Sequence, residues 1–273
     1  GILTPKPLLK FRNKTLIENS IDSLKIKNAN YYFIIKNYKE KKYNIKLKNL
    51  LKKYKPKKII ILNKTLNGPV HSLLQVKKID NKLPLIIANC DQFLNWDVND
   101  FIKFITNKKP DGCVLTYRSK NKKNSFVKTK KNIAIKFLEK KAISNHALIG
   151  VHYWKYTYDF FQSARKYVKK VNKKKEAYVS ETYNYLVKKK QIIVYELKKN
   201  QFCLLGTPDD VEKAKKIWMN KEKYLNIKSI KKFPIFMGAV NKSFQVEKKD
   251  MNFQIDQNSG KIRIYPRVPL GKL

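Results

Sequence analysis

Near its start the chain reads Thr4-Pro5-Lys6-Pro7-Leu8-Leu9, a lysine held between two prolines. Each proline fixes its own φ, and Pro7 pushes Lys6 toward extended backbone. An ammonium presented from so stiff a segment has little ordering entropy left to lose, which suits phosphate chemistry. The same six residues also read as a surface turn with a solvated lysine.

Asn89-Cys90-Asp91-Gln92 directly follow an apolar run at 85–88. An aspartate at the carboxyl end of a buried strand sits where open α/β sheets place their ligands. A hard carboxylate there suits Mg²⁺ bridging to phosphate oxygens; it would equally cap the next segment. Leu205-Gly206-Thr207-Pro208-Asp209-Asp210 forms a second junction. Gly206 permits a tight turn, Thr207 is a good N-cap, Pro208 suits the first helical position, and the two aspartates favour a first turn. Asn67-Gly68-Pro69-Val70 precedes a helix, and its glycine would let backbone approach a base or ribose closely, or simply serve a loop. Glu139 and Lys140 end a strand and could meet a sugar hydroxyl and a phosphate, or pair in solvent. His71, His146 and His152 have no metal-like spacing, and no Ser/His/Asp order is present.

The elements that must position these groups alternate. The segments 31–35, 58–62, 85–88 and 113–117 are short, apolar and β-branched and read as strands of a mostly buried sheet. Between them, 15–24, 45–51, 70–76 and 98–105 carry helical apolar spacing. That alternation predicts a doubly wound α/β domain. From about residue 124 strands are expected at 126–129, 133–138, 147–153, 192–197 and 202–205, and helices at about 158–171, 180–187 and from Pro208 onward. Residues 172–176 read as a charged linker carrying no site. Past about residue 221 the periodicity weakens, with strands expected at 233–240 and 253–264 around a turn at Asn258-Ser259-Gly260. There is no internal repeat.

With 273 residues the chain can bury a sizeable core. Its 42% apolar content excludes a disordered chain. No run is long enough for a membrane span, and no secretory h-region follows the N-terminus. Cys90, Cys113 and Cys203 lack metal or CxxC spacing and read as reduced thiols in a cytoplasmic protein. The formal charge of +42 points to a polyanion partner, yet the only arginines are Arg12, Arg118, Arg165, Arg263 and Arg267. Lysines spread among Asn and Ile read as compositional drift over solvated faces, with non-specific polyanion binding at low salt.

In order and spacing these pieces resemble the sugar-1-phosphate nucleotidylyltransferases, in particular the subgroup of capsule and surface-polysaccharide gene clusters. The residues carrying the resemblance are 4–9, Lys14-Thr15-Leu16-Ile17-Glu18, Gly68-Pro69-Val70, 84–92, Glu139-Lys140, 147–153, Tyr178-Val179-Ser180-Glu181-Thr182-Tyr183-Asn184 and 205–210. It covers roughly residues 1–217. The resemblance implies a Rossmann-like, three-layer fold with a mixed, mostly parallel central sheet over residues 1–220, followed by an extension at 221–273. It implies in-line attack of a sugar-phosphate oxygen on the α-phosphorus of an NTP, with pyrophosphate leaving. Lys6 would stabilise charge in the transition state, and Asp91 would hold Mg²⁺ and share in catalysis. Gly68 would lie against the nucleotide, Lys140 would bind the sugar phosphate, and Glu139, Gly150 and Glu181 would meet the sugar.

Two departures qualify it. The family's glycine-rich, arginine-bearing phosphate loop stands just before the Pro-Lys-Pro segment, and its absence ahead of Gly1 leads to the expectation of an N-terminal truncation. A second metal-binding aspartate, frequent two residues before the Gly-Thr-Pro, is here Leu204. A glycosyltransferase using a nucleotide-sugar is an alternative, but its Asp-x-Asp motif would need an acid where Phe93 stands. An inactive homologue or polyanion binder is another.

Overall fold

The computed structural model describes residues 4–172, 175–222, 224–234, 248–256 and 262–265. By internal contacts the chain separates into two units, Gly1–Asp210 and Val211–Leu273.

The first unit opens with a 3-10 turn, Lys6–Leu8, and a small hairpin of β1 (Lys10–Phe11) and β2 (Lys14–Thr15). Helix α1 (Leu16–Asp22) begins in a capping box: the Glu18 amide donates to Thr15 Oγ1, and the Thr15 amide donates to the Glu18 carboxylate at 2.9 Å. β3 (Tyr32–Lys36), α2 (Lys41–Lys52) and β4 (Lys58–Leu62) form one parallel crossover unit, with β3 and β4 paired from Tyr32↔Lys58 to Lys36↔Leu62. The short α3 (Pro69–Leu73) follows, then β5 (Leu85–Ala88), β6 (Gln92–Leu94) and α4 (Val98–Lys108).

The main sheet has six strands in the order β5-β10-β7-β11-β9-β8. Here β7 is Gly112–Arg118, β8 Ser125–Lys130, β9 Ile133–Glu139, β10 His146–Trp154 and β11 Ile192–Glu196. Strands β5, β7, β8 and β11 run one way, and β9 and β10 the other. The central sheet is therefore mixed, as expected. Because the opposed strands are interleaved, only β7 and β11 pair in parallel, so by ladders the sheet is mostly antiparallel. The insertion of β10 between β5 and β7 has no local sequence signal. It is decided by long-range pairing, with Tyr153 opposite both Ile86 and Cys113.

Successive residues of a strand point to opposite faces, and β7 has an apolar cluster on each. Val114 joins a core with Phe160, Phe161, Ala164 and Tyr167 of α5 (Thr157–Lys170). Cys113 and Leu115 join another with Val98, Phe101 and Ile105 of α4. Trp154 and Tyr183 stack at 4.5 Å between centroids, with ring planes nearly parallel and both side chains fully buried; stacking adds about 0.5–1.5 kcal/mol to the burial of two large rings. The 3-10 turn Tyr183–Tyr185, which extends α6 (Val179–Thr182), is tied to β9 by Asn184, whose side chain accepts from the Phe137 amide and donates to its carbonyl. β12 (Phe202–Leu204) pairs with β6, and α7 (Pro208–Glu222) then begins.

In the second unit β13 (Tyr224–Pro234), β14 (Lys248–Asp256) and β15 (Ile262–Tyr265) form an antiparallel meander. The expected strand at 233–240 and the turn at Asn258-Ser259-Gly260 fall largely or wholly outside the described residues. No helix among the described residues is long and apolar enough to cross a membrane.

Candidate active site

Lys6 begins the 3-10 turn, not the extended segment expected of a residue before proline. Leu8 and Leu9 donate backbone bonds to the carbonyls of Pro5 and Lys6. The turn is tolerated because Pro7 stands in its first positions, where no N–H is required. Leu8 is buried and pins the turn to the core shared with α1 and α2. From this base the Lys6 ammonium lies 2.6 Å from Asp91 Oδ2 and 2.7 Å from the Gly206 carbonyl oxygen. Three segments that sequence reading singled out separately thus meet at one ammonium.

Asp91 stands just beyond β5, in the connection to β6. The Leu205 amide donates to the Asp91 carbonyl at 2.9 Å, and β6 pairs Gln92 with Leu204 of β12. This ladder brings Gly206 to Asp91. Leu204 therefore sits beside Gln92 with no carboxylate to offer. Asp210 is occupied by the helix start: it accepts from the Thr207 amide and hydroxyl, and its own amide donates back to Thr207 Oγ1. Phe93 is buried and packs edge-on against Phe11, which leaves nothing there to support an Asp-x-Asp reading.

Beneath Asp91, Gly150 of β10 accepts from the Asn89 amide at 2.9 Å. A Cβ added at Gly150 would lie 2.3 Å from Asn89 Nδ2, so the glycine is where the Asn89 side chain rests. Ser20 Oγ of α1 donates to the Asn89 carbonyl. Cys90 is flanked by Asp91 and desolvated, and its thiol is pushed up to about 11, mainly by burial. A thiol raised in this way is poorly suited to act as a nucleophile. Cys113 is buried with its thiol likewise raised, and no cysteine is in a disulfide.

A second group of charges forms around residues 139–140. Lys140, in a left-handed conformation at φ 53°, donates from Nζ to the Tyr178 hydroxyl at 2.8 Å. That hydroxyl in turn donates to Glu176. Glu139 accepts from Ser125 Oγ. Its carboxyl is raised above the usual range, first by burial and then by the charges of Glu181 and Glu176. Glu181 accepts from the Tyr167 hydroxyl of α5. The structure so gathers three predicted residues, Glu139, Lys140 and Glu181, and adds Glu176, which lies in the stretch read as a siteless linker. The missed signal was the acid two residues before Tyr178, close enough for the tyrosine to bridge it to a lysine 38 residues away.

Gly68 caps α3 with φ 97°, and a Cβ there would lie 2.4 Å from the Ala177 backbone nitrogen. The Ala177 amide donates to the Asn67 carbonyl, and the Val70 amide to the Ala177 carbonyl. Packing against this backbone fully accounts for the glycine. A cleft of about 1000 Å³ has both Gly68 and Glu176 in its wall, and also Asn89 and Cys90, the neighbours of Asp91.

Among the described residues no group of three or more His, Cys, Asp or Glu side chains could hold a metal by itself. Mg²⁺ does not need one, since it is held by one or two carboxylates together with substrate phosphates and water. Asp91 would be the single protein ligand of such a site, and its Oδ2 is paired with the Lys6 ammonium.

Fold and site are those of a mixed α/β protein with a lysine–aspartate pair just beyond the carboxyl end of β5, the terminal strand of the six-stranded sheet. The family model described as nucleotidyl transferase matches residues 2–221, and the chain belongs to that family. No curated protein matches the sequence. Among solved structures, a nucleoside-diphosphate-sugar pyrophosphorylase from Vibrio cholerae is similar with a TM-score of 0.67 at 21% identity, over 78% of this chain and 92% of that one. A UDP-glucose pyrophosphorylase complexed with UDP-glucose is similar with a TM-score of 0.61 at 16% identity, over 80% of this chain and 91% of that one. At such identities the likeness is one of fold.

Proposed function

We propose that the protein transfers a nucleoside monophosphate from an NTP to a sugar phosphate, or a similar phosphorylated alcohol, with release of pyrophosphate. The observation that carries this reading is the convergence of Lys6, Asp91 and Gly206 on one ammonium. Family membership and the pyrophosphorylase names of the similar structures support it. The apolar clusters on both faces of the sheet support a Rossmann-like, three-layer nucleotidyltransferase fold. Synthesis of surface-polysaccharide precursors in the cytoplasm is the context that the resemblance suggests.

In this reading a sugar-phosphate oxygen attacks the α-phosphorus in line, and the bond to pyrophosphate breaks. No covalent enzyme intermediate is needed, so the protein contributes position and charge. Lys6 stabilises charge on the transferred phosphate. Asp91 would hold Mg²⁺, whose chemistry there would be to neutralise charge on phosphate oxygens. Lys140 takes the phosphate of the sugar phosphate, with Tyr178 orienting its ammonium. Glu139 and Glu181 accept from sugar hydroxyls, Gly150 lets the Asn89 side chain line the pocket, and Gly68 borders the nucleotide.

The test is pyrophosphate release from a panel of NTPs and sugar 1-phosphates with Mg²⁺, using protein that includes any coding sequence ahead of Gly1. Turnover that needs both substrates is expected. Transfer from a nucleotide-sugar without NTP consumption would replace this reading with a glycosyltransferase. No turnover with any pair, alongside salt-resistant RNA binding, would replace it with a polyanion binder.

A further inference from the structure

The exposed face of α2 carries more positive charge than the composition of the chain accounts for. Between Tyr31 and Leu66 there are 12 lysines and one acid, Glu40, whereas the whole chain has 62 basic residues to 20 acidic ones. A drift toward lysine alone would leave acids among them, as it does on other helices. α4 sets Asp100 against Lys103, and α7 sets Glu212 against Lys215. On α2 every exposed position is lysine except Ile45 and Asn49.

That charge works against the helix. Lys41 and Lys42 stand in its first turn, at the positive end of the dipole, with no acid there. Lys42 and Lys46, and likewise Lys48 and Lys52, are like charges four residues apart, which is destabilising. Glu40 relieves a part through an ion pair with Lys42 at 2.6 Å, between two exposed side chains. The attachment of α2 to the protein comes from its other face, where Leu47, Leu50 and Leu51 are buried. The lysines thus serve something other than folding.

Helical spacing sets Lys41, Ile45, Lys48 and Lys52 in one stripe. Ile45 stands in it 58% exposed. An aliphatic side chain amid ammonium groups suits a surface of anionic headgroups over an apolar layer. It does not suit a nucleic acid. Single strands bind by stacking on exposed rings, and Tyr31, Phe33, Tyr38, Tyr43 and Tyr54 of this unit all pack against the core. Guanines are read by arginine forks, and the unit has no arginine.

The leucines of α2 face the cluster that includes Leu8 and Cys90, close in sequence to Lys6 and Asp91, so the basic stripe points away from that pair. A bilayer on the stripe leaves the candidate site open. We propose that the exposed face of α2 is a docking surface for an anionic lipid bilayer, on which the protein adsorbs reversibly through its lysines with Ile45 entering the headgroup layer. The proposal does not depend on the assigned reaction.

The test is co-sedimentation with vesicles of phosphatidylcholine alone and of phosphatidylcholine with about 30% phosphatidylglycerol, at about 0.1 M salt. The protein should bind the anionic vesicles and not the neutral ones. The triple variant Lys41→Gln, Lys48→Gln, Lys52→Gln should weaken that binding by about 30–100-fold. The charge-matched variant Lys128→Gln, Lys130→Gln, Lys136→Gln, on the β8–β9 hairpin, should weaken it by less than about 3-fold. Glutamine keeps helix propensity and relieves the like charges, so the α2 variant should melt no lower than the parent. Ile45→Gln should weaken vesicle binding by about 3–10-fold with no change in charge. Equal effects of the two triple variants would make adsorption a property of net charge and overturn the proposal. Anionic vesicles bound no better than neutral ones would overturn it too, as would an Ile45→Gln variant that binds like the parent. Stronger binding of an RNA oligonucleotide, lost in the α2 triple variant, would assign the face to a nucleic acid instead.

Discussion

Lys6 Nζ lies 2.6 Å from Asp91 Oδ2, and the two residues are separated by 85 positions in the chain. Both side chains are partly exposed, at 41% and 29%, so the pair contributes no more than about 1 kcal/mol to stability. Its value lies in position, and that separates the two effects of removing it. Lys6→Met should lower the rate of nucleotidyl transfer by about 10²–10³-fold, the loss expected for one preorganised charge-stabilising group. Its melting temperature should stay within a few degrees of the parent. A large loss of stability with unchanged turnover per folded molecule would make the pair structural. Lys6→Arg should not restore the rate, because the planar fork is longer and geometrically distinct from a point ammonium.

The Lys140–Tyr178–Glu176 chain predicts a different kinetic signature. Tyr178→Phe removes the hydroxyl that joins the ammonium to the carboxylate. The KM for the sugar phosphate should rise by about 10-fold with kcat little changed, and Lys140→Gln should raise it by about 10–100-fold, as expected for lost hydrogen bonds to charged groups. A fall in kcat without a change in KM would move Lys140 out of ground-state binding.

The two glycines should fail for different reasons. Gly68→Ala meets the Ala177 backbone at 2.4 Å while also holding a φ of 97°. It should cost about 2–4 kcal/mol, with no single second substitution that relieves it. At Gly150→Ala the three nearest atoms to the new Cβ all belong to the Asn89 side chain. The substitution should cost about 1–3 kcal/mol, and Asn89→Ala should recover most of that loss. Urea unfolding of the four variants checks both statements, and additivity of Gly150→Ala and Asn89→Ala would refute the second.

His152 offers a test in acid. It is fully buried beside Trp154 and Tyr183, and burial pushes its pKa down to about 3. The unfolded chain takes up a proton below about pH 6.5, whereas the native chain does not until about pH 3. Stability present above pH 6.5 is therefore lost as pH falls through that window, by up to about 1.4 kcal/mol per pH unit. His152→Met should reduce that slope by one proton. Urea midpoints from pH 7 to pH 4.5 give the slope, and equal slopes in both proteins would count against the buried neutral imidazole.

Most elements were legible because their signals are local. The run Lys58–Leu62 is a strand over the span read from its β-branched residues, and so is Leu85–Ala88. The Thr207-Pro208-Asp209-Asp210 junction forms the helix start that its residue types favour, with Asp210 closing the cap on Thr207. The helix read at 180–187 is instead one α turn followed by a 3-10 turn, because Asn184 bonds to the Phe137 backbone and Tyr183 stacks on Trp154. The hairpin of β1 and β2 and the short β6 escaped notice, since two or three residues carry no readable period.

The candidate site divides in the same way. Sequence alone determined which groups could do chemistry, because a lysine between prolines, an aspartate after an apolar strand and a Gly-Thr-Pro before a helix are each set by neighbours a few positions away. Only the tertiary structure decided which of them meet. The Lys6 ammonium reaches Asp91 and Gly206 because β6 pairs with β12, and that pairing depends on contacts across more than a hundred residues, where local pattern holds no information.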